Sequence, residues 1–447
     1  MALTGLDIYK QLPKTNCGEC GSPTCLAFAM QLAAKKTSLD KCPHISEGGR
    51  AALEGASAPP VRLVTIGTGE KKVEIGNETV LFRHEETFHH ETAIAIAVAD
   101  NLDEEALKAR IEKIKRLQFE RVGLTIAINL VAVQDTEGDK ERFVKIVKEV
   151  DEKVGLPLIL VSRNPEVIEA ALRVCGDKKP LICAADNNNY QALAQLAKDH
   201  SCPLTVTAKN LEELSELTQK IASLGVSDIV LDSGARDLLG SLSDLTQIRR
   251  LSLKKSYRPL GYPALAFASN GHPAQEISRA SIYIARYAGI VILEGAEPWQ
   301  VLPLLTLRQN IYTDPQKPIR VEPKIYEVGS VNDKSPVFVT TNFSLTYFTV
   351  EGDIEASKMA SFIVVVDTEG TSVLTAWAAE KFTAESIATA VREQGIEEKV
   401  SHRKLILPGF VAVLSGKLEE TLSGWEILVG PRESSGIPAY LKNTWKA

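Results

Sequence analysis

At 447 residues the chain is too long for one ordinary core, and domains of roughly 100–200 residues imply two or three of them. Its 44% apolar and 24% charged residues are the composition of a folded globular protein, and no apolar run reaches the roughly 18 residues of a membrane span. The formal charge of −6 gathers at the end of the chain, where residues 325–447 carry 16 acidic against 11 basic side chains, so neither nucleic acid nor a membrane is an expected partner.

The N-terminus, MALTGLDIYKQLPKTNC, has no basic region followed by an unbroken apolar stretch. Without a secretory signal the expected compartment is the cytoplasm, whose reducing conditions disfavour disulfides among the seven cysteines. Cys17, Cys20, Cys25 and Cys42 follow the spacing C-x2-C-x4-C-x16-C. Four thiolates suit either a tetrahedral zinc or an iron–sulfur cluster. Structural zinc sites usually use two tight C-x2-C pairs, whereas here three thiols crowd together and the fourth returns after a helix-like stretch, just before Pro43. That spacing favours a cluster, and Gly18 and Gly21 free the backbone to wrap it. The segment EGGRAALEGASAPP at 47–60 reads as a linker, which sets a first domain at residues 1–58.

From residue 59 to 323 short apolar runs alternate with helical patterns, as parallel strands and crossover helices require. Eight strands are expected, at Ile94–Val98, Leu124–Leu130, Leu158–Val161, Leu181–Cys183, Leu204–Val206, Ile229–Leu231, Ala264–Phe267 and Ile290–Leu293. NLEELSELTQKIASLG carries Asn210 as an N-cap and Gly225 as a stop. Eight strand–helix units fit a TIM (β/α)8 barrel better than an open doubly wound sheet, since no Gly-rich dinucleotide loop follows the first strand. VRLVTIG and TVLFRHE are expected to pair as a hairpin closing one end, with Gly67 and Gly69 in a turn. Cys175, Cys183 and Cys202 lie in or beside apolar elements and read as core residues. His84, Glu85, Glu86, His89 and His90 lack the H-E-x-x-H register and read as a connection rather than a metal site.

The proline-rich DPQKPIRVEPK at 314–324 opens a last domain at 324–447, a small doubly wound α/β sheet. Its strands are expected at Val337–Thr340, Phe362–Val366, Lys404–Leu407 and Glu426–Val429, leading into the loops TTNFSLT, DTEGTS and GPRESSG. Ligands of open α/β sheets bind at those carboxyl ends.

CGECGSPTCLAFAMQLAAKK, the barrel after it and VVVDTEGTSVLTAWAAEKF together resemble the large subunit of the corrinoid iron–sulfur protein, which works with carbon monoxide dehydrogenase/acetyl-CoA synthase in the reductive acetyl-CoA pathway. The resemblance covers essentially the whole chain. It implies an N-terminal [4Fe-4S] domain, a central TIM barrel and a C-terminal cobalamin-binding domain. It also implies corrinoid contacts from Thr340, Thr346, Gly370, Thr371, Ser372, Val373 and Gly436. No histidine here has an aspartate two residues before it and a glycine three after, so the D-x-H-x-x-G type of lower cobalt ligand is not expected.

The function so implied is a methyl carrier. A Co(I) corrinoid accepts the methyl group of methyltetrahydrofolate from a methyltransferase and delivers it to acetyl-CoA synthase, while the cluster returns an electron to cobalt that has fallen to Co(II). The implied partners are a small subunit forming a heterodimer, those two enzymes and an electron donor such as ferredoxin. Two alternatives remain. The first makes the barrel a methyltransferase that binds the pterin itself, which needs polar residues at the strand ends, for which Asp100, Asn129, Asp186 and Asp232 are available. The other alternative is an electron-transfer subunit without corrinoid.

Overall fold

Strand-length runs of Ala, Val, Ile and Leu, unbroken by polar residues, need cover on both faces and form here the wall of a parallel barrel. The computed structural model describes residues 5–33, 37, 39–46, 48–49, 53, 59–86, 88–269, 271–313 and 318–446. Most of the 47–60 linker and residues 314–317 of the proline-rich stretch lie outside them. The chain divides into two compact units, Met1–Leu117 with Ala127–Tyr312, and Gln118–Ile126 with Thr313–Ala447.

In the first unit, β1 (Val64–Ile66) and β2 (Val73–Ile75) pair antiparallel. The partner of β1 is thus KKVEI, not TVLFRHE. Positive φ at Gly67 and Gly69 turns the chain back at once, while the N–H groups of Leu81 and Phe82 donate to Glu85 Oε2 instead of entering a ladder. Then come β3 (Ala93–Ala99) and β6 (Leu130–Gln134), and between them in the chain a hairpin of β4 (Gln118–Arg121) and β5 (Leu124–Ala127) that belongs, through Ile126, to the second unit. The barrel continues through β7 (Leu158–Val161), β8 (Leu181–Ala185), β9 (Leu204–Thr207), β10 (Ile229–Asp232), β11 (Leu265–Phe267) and β12 (Ile290–Leu293).

The eight parallel strands run in the order β10-β9-β8-β7-β6-β3-β12-β11, and a bridge between Leu231 and Ala264 closes the ring. Small residues fill its interior, Ala93, Ala95, Ala97 and Ala132 beside Ile159, Leu181, Cys183, Val230 and Ile290. Val64, Ile66 and Ile75 join the same core, so the hairpin closes the amino end as expected. The crossover helices are capped by their own sequence. Asn210 Oδ1 accepts from Glu213 N–H at 2.9 Å ahead of Leu211–Ser223, and Gly225 follows at φ +96°.

The strand expected at Leu124–Leu130 is two elements. Val122 and Gly123 both have positive φ, forming a two-residue turn that folds Leu124–Ala127 back on Gln118–Arg121. A Cβ at Gly123 would stand 2.9 Å from the Phe348 ring, so glycine serves close packing there as well. Leu124 and Thr125 are exposed whereas Leu130–Val133 are buried throughout, which identifies β6 as the barrel strand.

The second unit is a five-stranded sheet in the order β13-β15-β14-β16-β17, with β13 (Ile325–Val328), β14 (Val337–Thr341), β15 (Ser361–Val366), β16 (Lys404–Leu407) and β17 (Glu426–Val429). All neighbours are parallel except β13, an edge strand absent from the expectation. Alternation splits the side chains between two cores. Val337, Val339 and Val364 face one with Ile387 and Leu418; Phe338, Ile363 and Val365 face the other with Ile354 and Leu441. The sheet is doubly wound, and the chain passes from β15 across β14 to β16, which puts a switch point at the carboxyl ends of β14 and β16.

Candidate functional site

The N-terminal loop coils because Lys14, Asn16, Gly18 and Gly21 all adopt positive φ. A Cβ on Gly18 or Gly21 would meet nothing within 4 Å, so conformation rather than space calls for glycine. Asn16 Oδ1 accepts the N–H of Cys25 at 2.8 Å, tying the loop to the start of helix Cys25–Ala33, where Thr24 Oγ1 takes the N–H of Ala27. Cys42 is held from the other side by its N–H to Leu39 O, 3.0 Å.

Cys25 and Cys42 are buried in a small core with Ile8, Leu12, Phe28 and Leu53; Cys20 packs against it and Cys17 is exposed. None of the four forms a disulfide. Zinc bound by thiolates at about 2.3 Å holds its sulfurs roughly 3.8 Å apart. Among the described residues, the group whose ligating atoms meet within 4.8 Å is Cys17, Glu19 and His44, and no trio of the four thiols does so.

The other three cysteines behave differently. Burial pushes the thiols of Cys175, Cys183 and Cys202 up to about 12, so they stay protonated and inert at neutral pH. Cys183→Ala is expected to leave iron content unchanged and to cost about 1–2 kcal/mol in denaturant unfolding. Loss of iron from that variant would contradict the packing role. His84, Glu85, Glu86, His89 and His90 do not gather; Glu86 takes the Thr79 hydroxyl and His84 stacks on Phe82.

At the switch point of the second unit lies a cavity of about 320 Å³, walled from four strand ends. Phe338, Val339 and Thr340 come from β14, Thr346 and Thr349 from the helix after it, and Ser372 to Leu374 follow β15. Pro408 and Phe410 follow β16, and Gly430 to Ser434 follow β17. The Thr340 side chain is buried, and its Oγ1 has no hydrogen-bond partner among the described residues. An orphaned hydroxyl in a cavity wall fits a polar ligand group. Leu345, Leu374 and Phe410 line the cavity and are also exposed to solvent, so its rim offers apolar cover to a large ligand.

Of the residues singled out from sequence, Thr340, Thr346, Ser372 and Val373 line this cavity. Gly370 and Thr371 are not among its walls. The Gly370 N–H donates to Asn342 Oδ1 at 2.9 Å and Thr371 Oγ1 donates to Thr368 O at 2.7 Å. Gly436 sits one layer out, where a Cβ would stand 2.8 Å from Pro431, itself a wall residue.

Sequence reasoning missed Asn342, which is buried and organises the DTEGTS loop. Its Oδ1 accepts from the N–H groups of Thr368 (3.0 Å) and Gly370, and its Nδ2 donates to Asp367 Oδ1 at 2.8 Å. Asn342→Ala is expected to destabilise this unit by about 2–4 kcal/mol in urea unfolding, because two buried N–H groups lose their acceptor. A loss below about 0.5 kcal/mol would show that the loop holds itself.

A cavity of about 470 Å³ opens at the carboxyl end of the barrel, but its carboxylates are engaged. Asp232 takes both arms of Arg236 at 2.9 and 2.7 Å together with Gly234 N–H and Thr207 Oγ1. Asp135 accepts from Ser162 Oγ (2.6 Å) and Gly138 N–H (2.7 Å). Outside that lining, Asp100 Oδ1 accepts the Thr136 N–H while its buried Oδ2 has no hydrogen-bond partner among the described residues, and Asp186 takes the N–H of Asn188. Asn129 directly precedes β6 and so lies at the opposite, amino end of the barrel, where its Oδ1 accepts from Ile94 N–H and Arg308.

A family model described as "CO dehydrogenase/acetyl-CoA synthase delta subunit" matches residues 63–441, and an Fe-S cluster model matches residues 12–44. The chain is 51% identical to the corrinoid/iron-sulfur protein large subunit of Moorella thermoacetica, over 99% of both chains. It is 39% identical to the acetyl-CoA decarbonylase/synthase complex subunit gamma of Methanothermobacter thermautotrophicus, over 99% of both, and 36% identical to that of Methanopyrus kandleri, over 98% of this chain and 97% of the other.

Proposed function

Because the chain belongs to the family of corrinoid/iron–sulfur protein large subunits and acetyl-CoA decarbonylase/synthase gamma subunits, we propose that it is a methyl carrier with two cofactors, an N-terminal [4Fe-4S] cluster and a C-terminal corrinoid. The observation that carries the second cofactor is the switch-point cavity with its orphaned Thr340 hydroxyl and apolar rim. When bound, the corrinoid would supply a cobalt centre able to accept a methyl group, as from methyltetrahydrofolate on a methyltransferase, and to release it to acetyl-CoA synthase, and the cluster would supply electrons for its reduction.

The chain's own residues bind and orient. Cys17, Cys20, Cys25 and Cys42 hold the cluster, and the core of Ile8, Leu12 and Phe28 shields it on one side. Thr340 and Thr346 offer hydroxyls to the amide or nucleotide side chains of the corrinoid, while Ser372 and Val373 form the wall from the loop that Asn342 holds. Gly370, Thr371 and Gly436 shape that surface from behind. The domain limits 1–58, 59–323 and 324–447 follow this division of labour. The apolar rim supports a covering partner, a smaller subunit in a heterodimer, with ferredoxin or a similar protein as electron donor.

Anaerobic incubation with methyltransferase and methyl-labelled methyltetrahydrofolate tests this reading. Label is expected to move to this chain and onward to acetyl-CoA synthase. Retention of all label on the methyltransferase would contradict the proposal. The chain alone is expected not to bind the pterin measurably in equilibrium dialysis, since Asp135 and Asp232, the carboxylates lining the barrel-mouth cavity, are already engaged. Stoichiometric pterin binding without partners would instead favour a methyltransferase role for the barrel.

A further inference from the structure

The cysteine segment holds a second set of ligating atoms. Cys17 Sγ, a carboxylate oxygen of Glu19 and a ring nitrogen of His44 lie within 4.8 Å of one another at the surface, with His44 Nε2 3.0 Å from Glu19 Oε2. The grouping is not a product of chain proximity, because His44 returns from 25 residues beyond Glu19. Its position is fixed by Pro43 before it and by the Cys42 N–H on Leu39 O. On the other side, the positive φ of Asn16 and Gly18 sets the bends that carry Cys17 and Glu19. Cys20, Cys25 and Cys42 sit in or against the apolar core instead, so of the four thiols Cys17 alone faces polar ligands.

One thiolate, one imidazole and one carboxylate form a donor set suited to ferrous, cobaltous or zinc ions, with a fourth tetrahedral position left open. Metal–ligand bonds of about 2.0–2.3 Å place ligating atoms roughly 3.3–3.8 Å apart, a distance these exposed side chains reach by small rotations. We propose that in the iron-free chain Cys17, Glu19 and His44 bind one divalent transition ion, ferrous iron in the cell, and hold it beside the cluster site before the cluster is built. On binding, the Cys17 thiol releases its proton to solvent as the metal–sulfur bond forms, and no electron is transferred. As two ferrous and two ferric ions and four sulfides complete the [4Fe-4S]2+ cluster on the four thiolates, Cys17 keeps its iron and Glu19 and His44 let go. The inference rests on reading the four cysteines as cluster ligands.

The test titrates the full-length, iron-free, reduced chain with Co2+ under anaerobic conditions. The expected result is one ion per chain with a sulfur-to-cobalt charge-transfer band of one thiolate, unaffected in Cys25→Ala. Binding is expected to weaken about 10-fold or more in His44→Ala and in Glu19→Gln. A band of three or four thiolates that ignores His44→Ala and disappears in Cys25→Ala would overturn the proposal, because the cysteines alone would then take the ion. Reconstitution with ferrous and ferric iron and sulfide supplies the second readout: His44→Ala reaches the unsubstituted chain's iron content, but several-fold more slowly. Equal rates would overturn the loading role. Failure of the unsubstituted chain to gain any iron–sulfur absorbance would instead defeat the cluster reading, with the cobalt band still deciding whether the triad binds an ion.

Discussion

Cys20→Ala is expected to lose essentially all of its iron and sulfide while the barrel unfolds at an unchanged denaturant concentration. Each thiolate ligates one iron of the cluster, so removing one leaves an iron without its protein ligand. Cys20 packs against the N-terminal core of Phe28, Leu12 and Cys42, whereas the barrel interior is built from Ala95, Ala132, Ile159 and their neighbours. The two cores share no residue, so loss of the first need not propagate to the second. Iron and sulfide per chain, with urea unfolding monitored by circular dichroism, check both halves. A full iron complement in Cys20→Ala would mean that the ligands are assigned wrongly.

Thr346→Trp and Ser372→Trp are each expected to lower corrinoid affinity about 100-fold or more, roughly 2.7 kcal/mol, with iron retained. Both residues are partly exposed walls of the switch-point cavity, so an indole there fills ligand space without entering either core of the sheet. Thr346 lies on the helix Ser344–Ser357, and its hydroxyl caps nothing there; Ser372 Oγ donates only to Thr375 Oγ1. Cobalt per chain after gel filtration, at matched thermal stability, is the measurement. Undiminished cobalt in both variants would place the corrinoid elsewhere.

Much of this architecture is legible in the sequence because the signals are local. The eight barrel strands are apolar runs bounded by caps, and helix Leu211–Ser223 begins and ends at the residues its own chemistry names, Asn210 and Gly225. The cysteine spacing carries its chemistry within one short segment. What escapes is set by distance along the chain or by weak punctuation. RVGLTIAINLVAV reads as one strand because its turn, Val122-Gly123, lacks the usual Asn-Gly signature and its apolar run continues into β6. That misreading also put Asn129 at the wrong end of the barrel.

Asn342 shows no local sign of its role, since the groups it holds, Thr368 and Gly370, lie 26 and 28 residues on. Phe410, Pro431 and Arg432 wall the cavity from loops that only the sheet order brings together. Gly370 and Thr371 are recognisable as a special loop, but which of its groups face the ligand and which tie the turn is decided by contacts within the fold.

Metal analysis of the anaerobically purified protein decides whether one chain holds two cofactors at two separate sites. Iron, sulfide and cobalt are expected at about 4:4:1 per chain. Cys20→Ala is expected to remove the iron but not the cobalt, and Thr346→Trp to remove the cobalt but not the iron. Zinc in place of iron, absence of cobalt from the complete complex, or joint loss of both metals in either variant would contradict the two-site assignment.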